Sequence, residues 1–388
     1  MSSVPVFLRV CAIVALAVSA GGCAGRQSHE LTNVAFAAEA QVAAEHRIFV
    51  ATTREPADDP GEVFGRDRAE TVTFARVDVS VPPVHETGKI ESPPGRAPRD
   101  PAKHFAAREI GVYPDTGSFS SGLSQALAAA DGRAMVFVHG YNTLFDEAVY
   151  RATQIVHDAS YKGVPVLFSW ASAGRVVDYI YDSNSATIGR DGLERTLRLL
   201  ASSGATRIDI VAHSMGNWVA MEALRQLAIT GDRDIGGRLG DVVLASPDID
   251  IDVFASQLQR IGRPDRAFFV LHSGDDRALQ VSSLIAGNRP RVGYGRDVDR
   301  LAALGVIVVD VTNLAAGDGL NHTKFADNPL LVRLLGERLR EDDALGNNER
   351  DVADRITRLA GGLGQTVGSA AEIIITTPAE VLSVVTQQ

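Results

Sequence analysis

Apolar residues in this chain fall in short unbroken runs. Residues 47–52, 71–81, 134–138, 164–170, 207–212, 241–245, 267–271 and 306–311 are rich in Val, Ile, Leu and Phe. Ala134-Met135-Val136-Phe137-Val138 contains no polar position at all. Runs of this length and composition predict strands buried on both faces. From residue 134 onward they are separated by stretches with apolar positions three and four apart, at 144–157, 186–201, 218–228 and 329–340. That spacing predicts helices with one face against a core. Strand-helix-strand repetition predicts the α/β class, a mostly parallel central sheet with helices on both faces. Only the first two strands follow one another without a helix, which predicts an antiparallel edge there. Between residues 82 and 101, six of the 16 prolines lie among polar residues. This predicts a long irregular excursion, either a surface wrap or part of a substrate rim.

The two ends break the pattern. Residues 1–20 carry one basic side chain, Arg9, followed by an apolar run over 10–20. The run is about half the length needed to span a bilayer and reads as the core of a signal peptide. It ends in Ala20-Gly21-Gly22-Cys23, which resembles the lipobox of bacterial lipoproteins, with Ala20 where that pattern prefers Leu. The resemblance implies a signal peptide over 1–22 and lipidation of Cys23. The chain would then be held by its acyl chains in the bacterial cell envelope, on the periplasmic side or the outer membrane. Cleavage after Val18-Ser19-Ala20 is the alternative, giving a secreted or soluble periplasmic protein with a free thiol at Cys23. Since Cys11 lies in the removable segment, the mature chain is expected to have no internal disulfide. Residues 23–46 read as a tether with a short Ala-rich helix. At the other end Val352, Ile356 and Leu359 stand at helical spacing. The apolar stretch 370–385 is interrupted by Thr, Glu and Pro, too often for a membrane span. Residues 341–388 are therefore expected to form a C-terminal helical extension, leaving 47–340 as the α/β domain.

Composition narrows the partners. The chain has 388 residues, 45% of them hydrophobic, which is ample for one large core. Lys and Arg number 38 against 48 Asp and Glu, a net charge of −10 with no long basic run. Nothing offers an electrostatic footprint for phosphates, so nucleic acid is not an expected partner. Neither an H-E-x-x-H nor a C-x-x-C spacing occurs, and no metal or cofactor is expected.

The chemistry concentrates where the run 207–212 meets the helical pattern that follows. His213 and Ser214 fall on the turn between them, in Ala212-His213-Ser214-Met215-Gly216. This pentapeptide resembles the G-x-S-x-G nucleophile elbow of α/β-hydrolases, with Ala in place of the first Gly. A sharp turn there lifts the serine hydroxyl above the sheet, and the backbone N–H of Met215 at the helix N-terminus faces a developing oxyanion. Upstream, Val138-His139-Gly140-Tyr141-Asn142 resembles the loop that supplies the second donor, the N–H of Tyr141, with Asn142 as a side-chain candidate. His139 itself reads as structural. In the order nucleophile, acid, histidine, only His272 and His322 follow Ser214 far enough to serve as base. His272 precedes the nearest acids and reads as a packing residue. His322, in the loop after the last strand, is the candidate base. Asp276, after the strand at 267–271, is the preferred acid, Asp275 its neighbouring competitor and Asp248 a third candidate from one strand earlier.

An ordered set of motifs extends the likeness: Phe49-Val50-Ala51-Thr52-Thr53-Arg54, Val77-Asp78-Val79-Ser80-Val81, F-V-H-G-Y-N from Phe137, F-S-W-A-S from Phe168, A-H-S-M-G-N from Ala212, D-R-A-L from Asp276 and H-T-K-F-A-D-N-P from His322. Over residues 47–335 the chain resembles an uncharacterised family of bacterial α/β-hydrolases, a domain of unknown function. The resemblance implies the α/β-hydrolase fold, a Ser-Asp-His triad and esterase or lipase-like chemistry on a small-molecule or lipid acyl ester. It names no substrate. Specificity is expected in residues 171–185, with Tyr179 and Tyr181 either facing the substrate or packing, and in the Pro-rich excursion. An acyltransferase with the same triad, and an inactive envelope binding or scaffold lipoprotein, are the rival readings.

Overall fold

The computed structural model describes residues 31–35, 41–262, 266, 268–295, 297–340, 370–377 and 381–387. The expected signal peptide, Cys23 and the helically spaced Val352, Ile356 and Leu359 lie outside them. In chain order the elements are β1 (Ala44–Pro56), β2 (Phe64–Val81), β3 (Ala106–Val112), α1 (Thr116–Ala129), β4 (Arg133–Val138), α2 (Phe145–Asp158), β5 (Val164–Ser169) and α3 (Tyr179–Ser202). There follow β6 (Arg207–His213), α4 (Gly216–Ile229), β7 (Leu239–Ala245), α5 (Ile251–Ile261), β8 (Phe269–His272), α6 (Arg277–Ile285), α7 (Val298–Ala303) and β9 (Ile307–Asp310). The last are α8 (Lys324–Asp327), α9 (Pro329–Arg340), β10 (Ala370–Thr376) and β11 (Val381–Gln387).

The strands form a single sheet in the order β11-β10-β9-β8-β7-β6-β4-β5-β1-β2-β3. From β1 through β5, β4, β6, β7 and β8 to β9 every pairing is parallel. The sheet is buried on both faces because its central strands are apolar at successive positions. Ala134, Val136 and Val138 of β4 pack on one face with Phe119, Leu193, Val219 and Phe254. Met135 and Phe137 of the same strand pack on the other with Tyr150, Ile155, Phe325 and Leu331. Each such fully buried large side chain contributes about 1.5–3 kcal/mol. β4 lies between β5 and β6, so the chain winds one way from β4 to β5 and reaches β6 on the opposite side. At such a reversal the connections diverge and leave a crevice at the carboxyl ends of the two strands. The loops after β4 and β6, which carry Tyr141 and Ser214, both open there.

The expected antiparallel edge is present and wider than the hydrophobic runs indicate: β1 pairs with β2, and β2 pairs with β3. Both β3 and α1 escape the sequence pattern. Only the start of β3 is buried, and α1 is rich in Ser and Gly, its buried face reduced to Phe119, Leu123 and Leu127. Two expectations for the ends are corrected. Residues 370–376 and 381–387 are strands, not helix. They carry β10 onto β9 and β11 onto β10, both antiparallel. Their Ile, Val and Thr content suits a pleated ladder, and an otherwise open edge at β9 supplies the partner. The tether is not free throughout. Leu31 is buried, Val34 bridges Arg99, and Ala44, Glu45 and His46 already belong to β1. No helix among the described residues is long and apolar enough to cross a membrane.

Candidate active site

β6 ends at His213, and the next residue, Ser214, adopts φ 53°, a left-handed conformation in a residue other than Gly. Such a conformation costs on the order of 1–3 kcal/mol and persists only where the surroundings hold it. Here Ser214 N–H donates to the Ala245 carbonyl at 3.0 Å. Buried Asn217 donates through Nδ2 to the carbonyls of Ser214 and Ala245 at 2.8 and 2.9 Å. The tight turn also requires α4 to start against β4. A Cβ on Gly216 would stand 2.3 Å from the His139 carbonyl oxygen, and one on Gly140 would stand 2.9 Å from Ser214 Cβ. The methyl of Ala212 fits fully buried where the elbow pattern has Gly.

The N–H of Met215, at the N-terminus of α4, and that of Tyr141 make no hydrogen bond within the described residues. The loop bearing Tyr141 is held from below by Asp182, a buried residue of α3. Its carboxylate accepts the N–H of Asn142 at 3.1 Å, the Ser172 hydroxyl at 2.6 Å and the N–H of Ala173 at 2.7 Å. Burial raises the Asp182 pKa, an effect that these hydrogen bonds only partly oppose.

His322 follows β9 and lies beside this turn. Its N–H donates to Asp318 at 3.0 Å, and its carbonyl lies 3.1 Å from His213 Nε2 and accepts the Ser246 hydroxyl at 3.3 Å. His322 Nδ1 is 2.7 Å from Asp276 Oδ2. Asp276 is fully buried, and its other oxygen accepts the N–H of Leu279 at the start of α6. Burial alone would lower the His322 pKa. The hydrogen bond to Asp276 and the charge of that carboxylate outweigh that and raise it. Because an ionised carboxylate only accepts, the Nδ1 proton stays on the ring and Nε2 keeps a lone pair.

The competing acids are engaged by other partners. Asp275 pairs with Lys324 at 2.7 Å and accepts from Ser273 and Asn321. Asp248 accepts the hydroxyls of Tyr179 and Ser282 at 3.0 and 2.5 Å and lies 3.3 Å from Arg291 Nε. Helix capping in that acidic cluster falls to Asp250, which accepts the N–H of Asp252. Ser214 and His322 line one cavity of about 900 Å³ together with Tyr141, Tyr179 and Asp248. Its mouth includes Val176, Val281, Ile285 and Leu320, all more than half exposed.

A family model described as "Alpha/beta hydrolase of unknown function (DUF900)" matches residues 115–338. The chain belongs to this α/β-hydrolase family. Similar solved structures include lipase B from Aspergillus fumigatus, 14% identical over 67% of this chain and 64% of that one, with a TM-score of 0.37. The chain thus spans less than two thirds of that lipase. Another is from a study of two fungal esterases from Rhizomucor miehei, 11% identical over 77% of this chain and 84% of that one, also with a TM-score of 0.37. No curated protein matches the chain in sequence.

In this α/β-hydrolase, His139 has the structural place expected of it. Its ring stacks on Trp170 with centroids 5.2 Å apart, its Nε2 lies 3.2 Å from the Ser169 hydroxyl, and its carbonyl accepts the Trp170 indole N–H. Burial, then the charge of Arg54, lowers its pKa to about 3, so it is neutral. His272 is likewise buried, beside Asp310 at 3.7 Å. Of the two tyrosines expected near the substrate, Tyr179 lines the cavity. Tyr181 turns away, under the Arg68 guanidinium at 4.0 Å. Ile90, Ser92 and Arg99 bring the Pro-rich excursion to the cavity wall. The sequence pattern assigns no role to Arg54, Asp182, Asp318 or His213. Arg54 is fully buried and donates to the carbonyls of Gly65, Thr143 and Ser172 and to the Ser169 hydroxyl, tying together the loops at the carboxyl ends of β1, β4 and β5. Burial lowers its pKa to about 10. The motifs T-T-R and A-H-S contain two of these four residues, but no local pattern marks Asp182 or Asp318.

Proposed function

We propose that this α/β-hydrolase is a serine hydrolase that cleaves carboxylic esters through an acyl-enzyme. The reading is carried by one observation: a histidine whose Nδ1 is fixed on a buried carboxylate lines the same cavity as a serine in a strained strand-to-helix turn. His322 Nε2 takes the Ser214 proton as the hydroxyl attacks the acyl carbon, and Asp276 stabilises the imidazolium that forms. The N–H groups of Met215 and Tyr141 receive the oxyanion, a contribution of about 3–4 kcal/mol for each such donor. The imidazolium then protonates the leaving alcohol, and water activated by the same histidine releases the acid. The apolar residues at the cavity mouth suit an acyl chain rather than a sugar or a charged acid.

The test is intact-mass analysis of the full chain in detergent after exposure to a fluorophosphonate, beside Ser214→Ala. One adduct on the parent and none on the variant is expected. A folded parent that stays unlabelled, or an adduct that persists in the variant, overturns the reading.

For location, the proposal is lipid attachment at Cys23 in the bacterial envelope. Cys23→Ser should then move the chain from the membrane pellet to the soluble fraction and remove the diacylglyceryl mass. An unchanged pellet and mass would reject the anchor.

A further inference from the structure

Three histidines from separate parts of the chain meet at the end of α2: His46 of β1, His85 of the Pro-rich excursion and His157, which is followed by Asp158. We propose that His85, His157 and Asp158 bind a divalent metal ion of the zinc class, which pins the Pro-rich excursion to α2. None of the three lines the cavity that holds Ser214.

One ligand atom from each of these three residues lies within 4.8 Å of the other two. Two ligands at about 2.1 Å from a tetrahedral zinc stand about 3.4 Å apart, so modest side-chain rotation closes the set. His85 Nε2 and Asp158 Oδ1 are already 2.8 Å apart. The surrounding partners make the case stronger, because metal-binding histidines almost always anchor their second ring nitrogen on another group. His85 Nδ1 is 2.9 Å from Glu91 Oε2. His157 Nδ1 is 3.1 Å from His46 Nε2, which leaves His157 Nε2 for the ion. Asp158 is itself fixed through its other oxygen, which accepts the Gly88 N–H at 2.8 Å and the Gln154 amide at 2.6 Å. The His85 and His157 rings meet edge to face, with centroids 5.3 Å apart.

Two imidazoles and one carboxylate select zinc and its transition-metal neighbours over Ca²⁺ or Mg²⁺, which prefer all-oxygen sets. The ion replaces the proton shared by His85 Nε2 and Asp158 Oδ1 and releases it to solvent, and water completes the coordination. The site bears on the cavity mechanically. Ile90 and Ser92, on the excursion just beyond His85, form part of its wall.

The experiment is calorimetric titration of ZnCl₂ into the full chain after chelator stripping. The expected result is one equivalent per chain, lost in His157→Gln, weakened about tenfold or more in Glu91→Gln, and retained in His322→Ala. A parent that takes up no zinc, or an equivalent that survives His157→Gln or disappears in His322→Ala, overturns the proposal. Should His157→Gln not fold, Co²⁺ in the parent decides. Visible absorption of a four- or five-coordinate ion, saturating at one equivalent and abolished in Asp158→Asn, supports the site. A spectrum like that of hexa-aquo Co²⁺ overturns it.

Discussion

Asp275 and Asp276 are adjacent in the chain, yet their carboxylates meet opposite demands. Lys324 Nζ donates to Asp275, to the Ser273 hydroxyl and to the carbonyls of Val311 and Thr312, so a buried ammonium holds that acid in place. Asp276 lies one position further, at the N-cap of α6, and its free oxygen points to His322. Chain order and the acidic turn narrow the acid to this neighbourhood. The choice between the two residues follows from where a lysine 48 positions after Asp276 comes to lie. The consequence is measurable in a pH profile. In the proposed mechanism the base works as the neutral imidazole, and the His322 pKa is raised, so kcat/KM should fall on the acid side at a pH above the ordinary histidine value. Asp276→Asn removes the group that raises it. It should lower kcat about 10⁴-fold on a short-chain ester and move the acid limb to lower pH, because burial is then opposed only by the weaker charges of Asp248 and Asp318. An acid limb that stays put would show that another group titrates there.

At the scale of elements, β4, β6 and α4 were legible because their signals are local and redundant. Each central strand has a run of successive apolar residues, and the turn residues between β6 and α4 are of the types a strained elbow needs. The elements that were missed or misread lack such a signal. Thr116–Ala129 is interspersed with Ser and Gly and buries only one apolar residue per turn, Phe119, Leu123 and Leu127. The strand Ala370–Thr376 becomes a strand by pairing with β9, a partner distant in sequence. The contact between α4 and β4 gives a prediction of its own. In Gly216→Ala the new methyl meets the backbone carbonyls of Val138 and His139, which cannot rotate aside as a side chain could. The N-terminus of α4 must shift, carrying the Met215 N–H with it. A stability loss of about 1–3 kcal/mol by urea unfolding is expected, together with slower fluorophosphonate labelling. A variant with parental stability and labelling would mean that the turn tolerates a wider approach.

For the molecule as a whole, the buried imidazoles set the response to acid. His139 has its pKa lowered from 6.5 to about 3, by burial first and then by Arg54. His213 is lowered well below 6.5, by burial and then by His322. Below pH 6.5 the unfolded chain takes up protons at these positions and the folded chain does not. For His139, stability present above that pH is therefore lost as the pH falls toward 3, by about 1.4 kcal/mol per pH unit, and His213 adds to the loss in the same direction. The urea midpoint should fall between pH 7 and pH 5, and His139→Gln should flatten that slope even if it lowers stability at neutral pH. Equal slopes in parent and variant would place the acid response elsewhere.

The chain by itself determined the α/β class, the parallel centre of the sheet, the turn that carries Ser214 and the short list of acids and bases, because apolar runs, helical spacing and turn chemistry act over a few residues. Tertiary structure alone decided which aspartate reaches His322. It also decided that Asp182 and Arg54 support the loops around the cavity, that the last described residues extend the sheet, and that His46, His85 and His157 meet. Those outcomes depend on side chains tens to hundreds of residues apart arriving within hydrogen-bond distance. Short-range pattern carries no record of such encounters, which are set by strand order and by how the helices pack across the sheet.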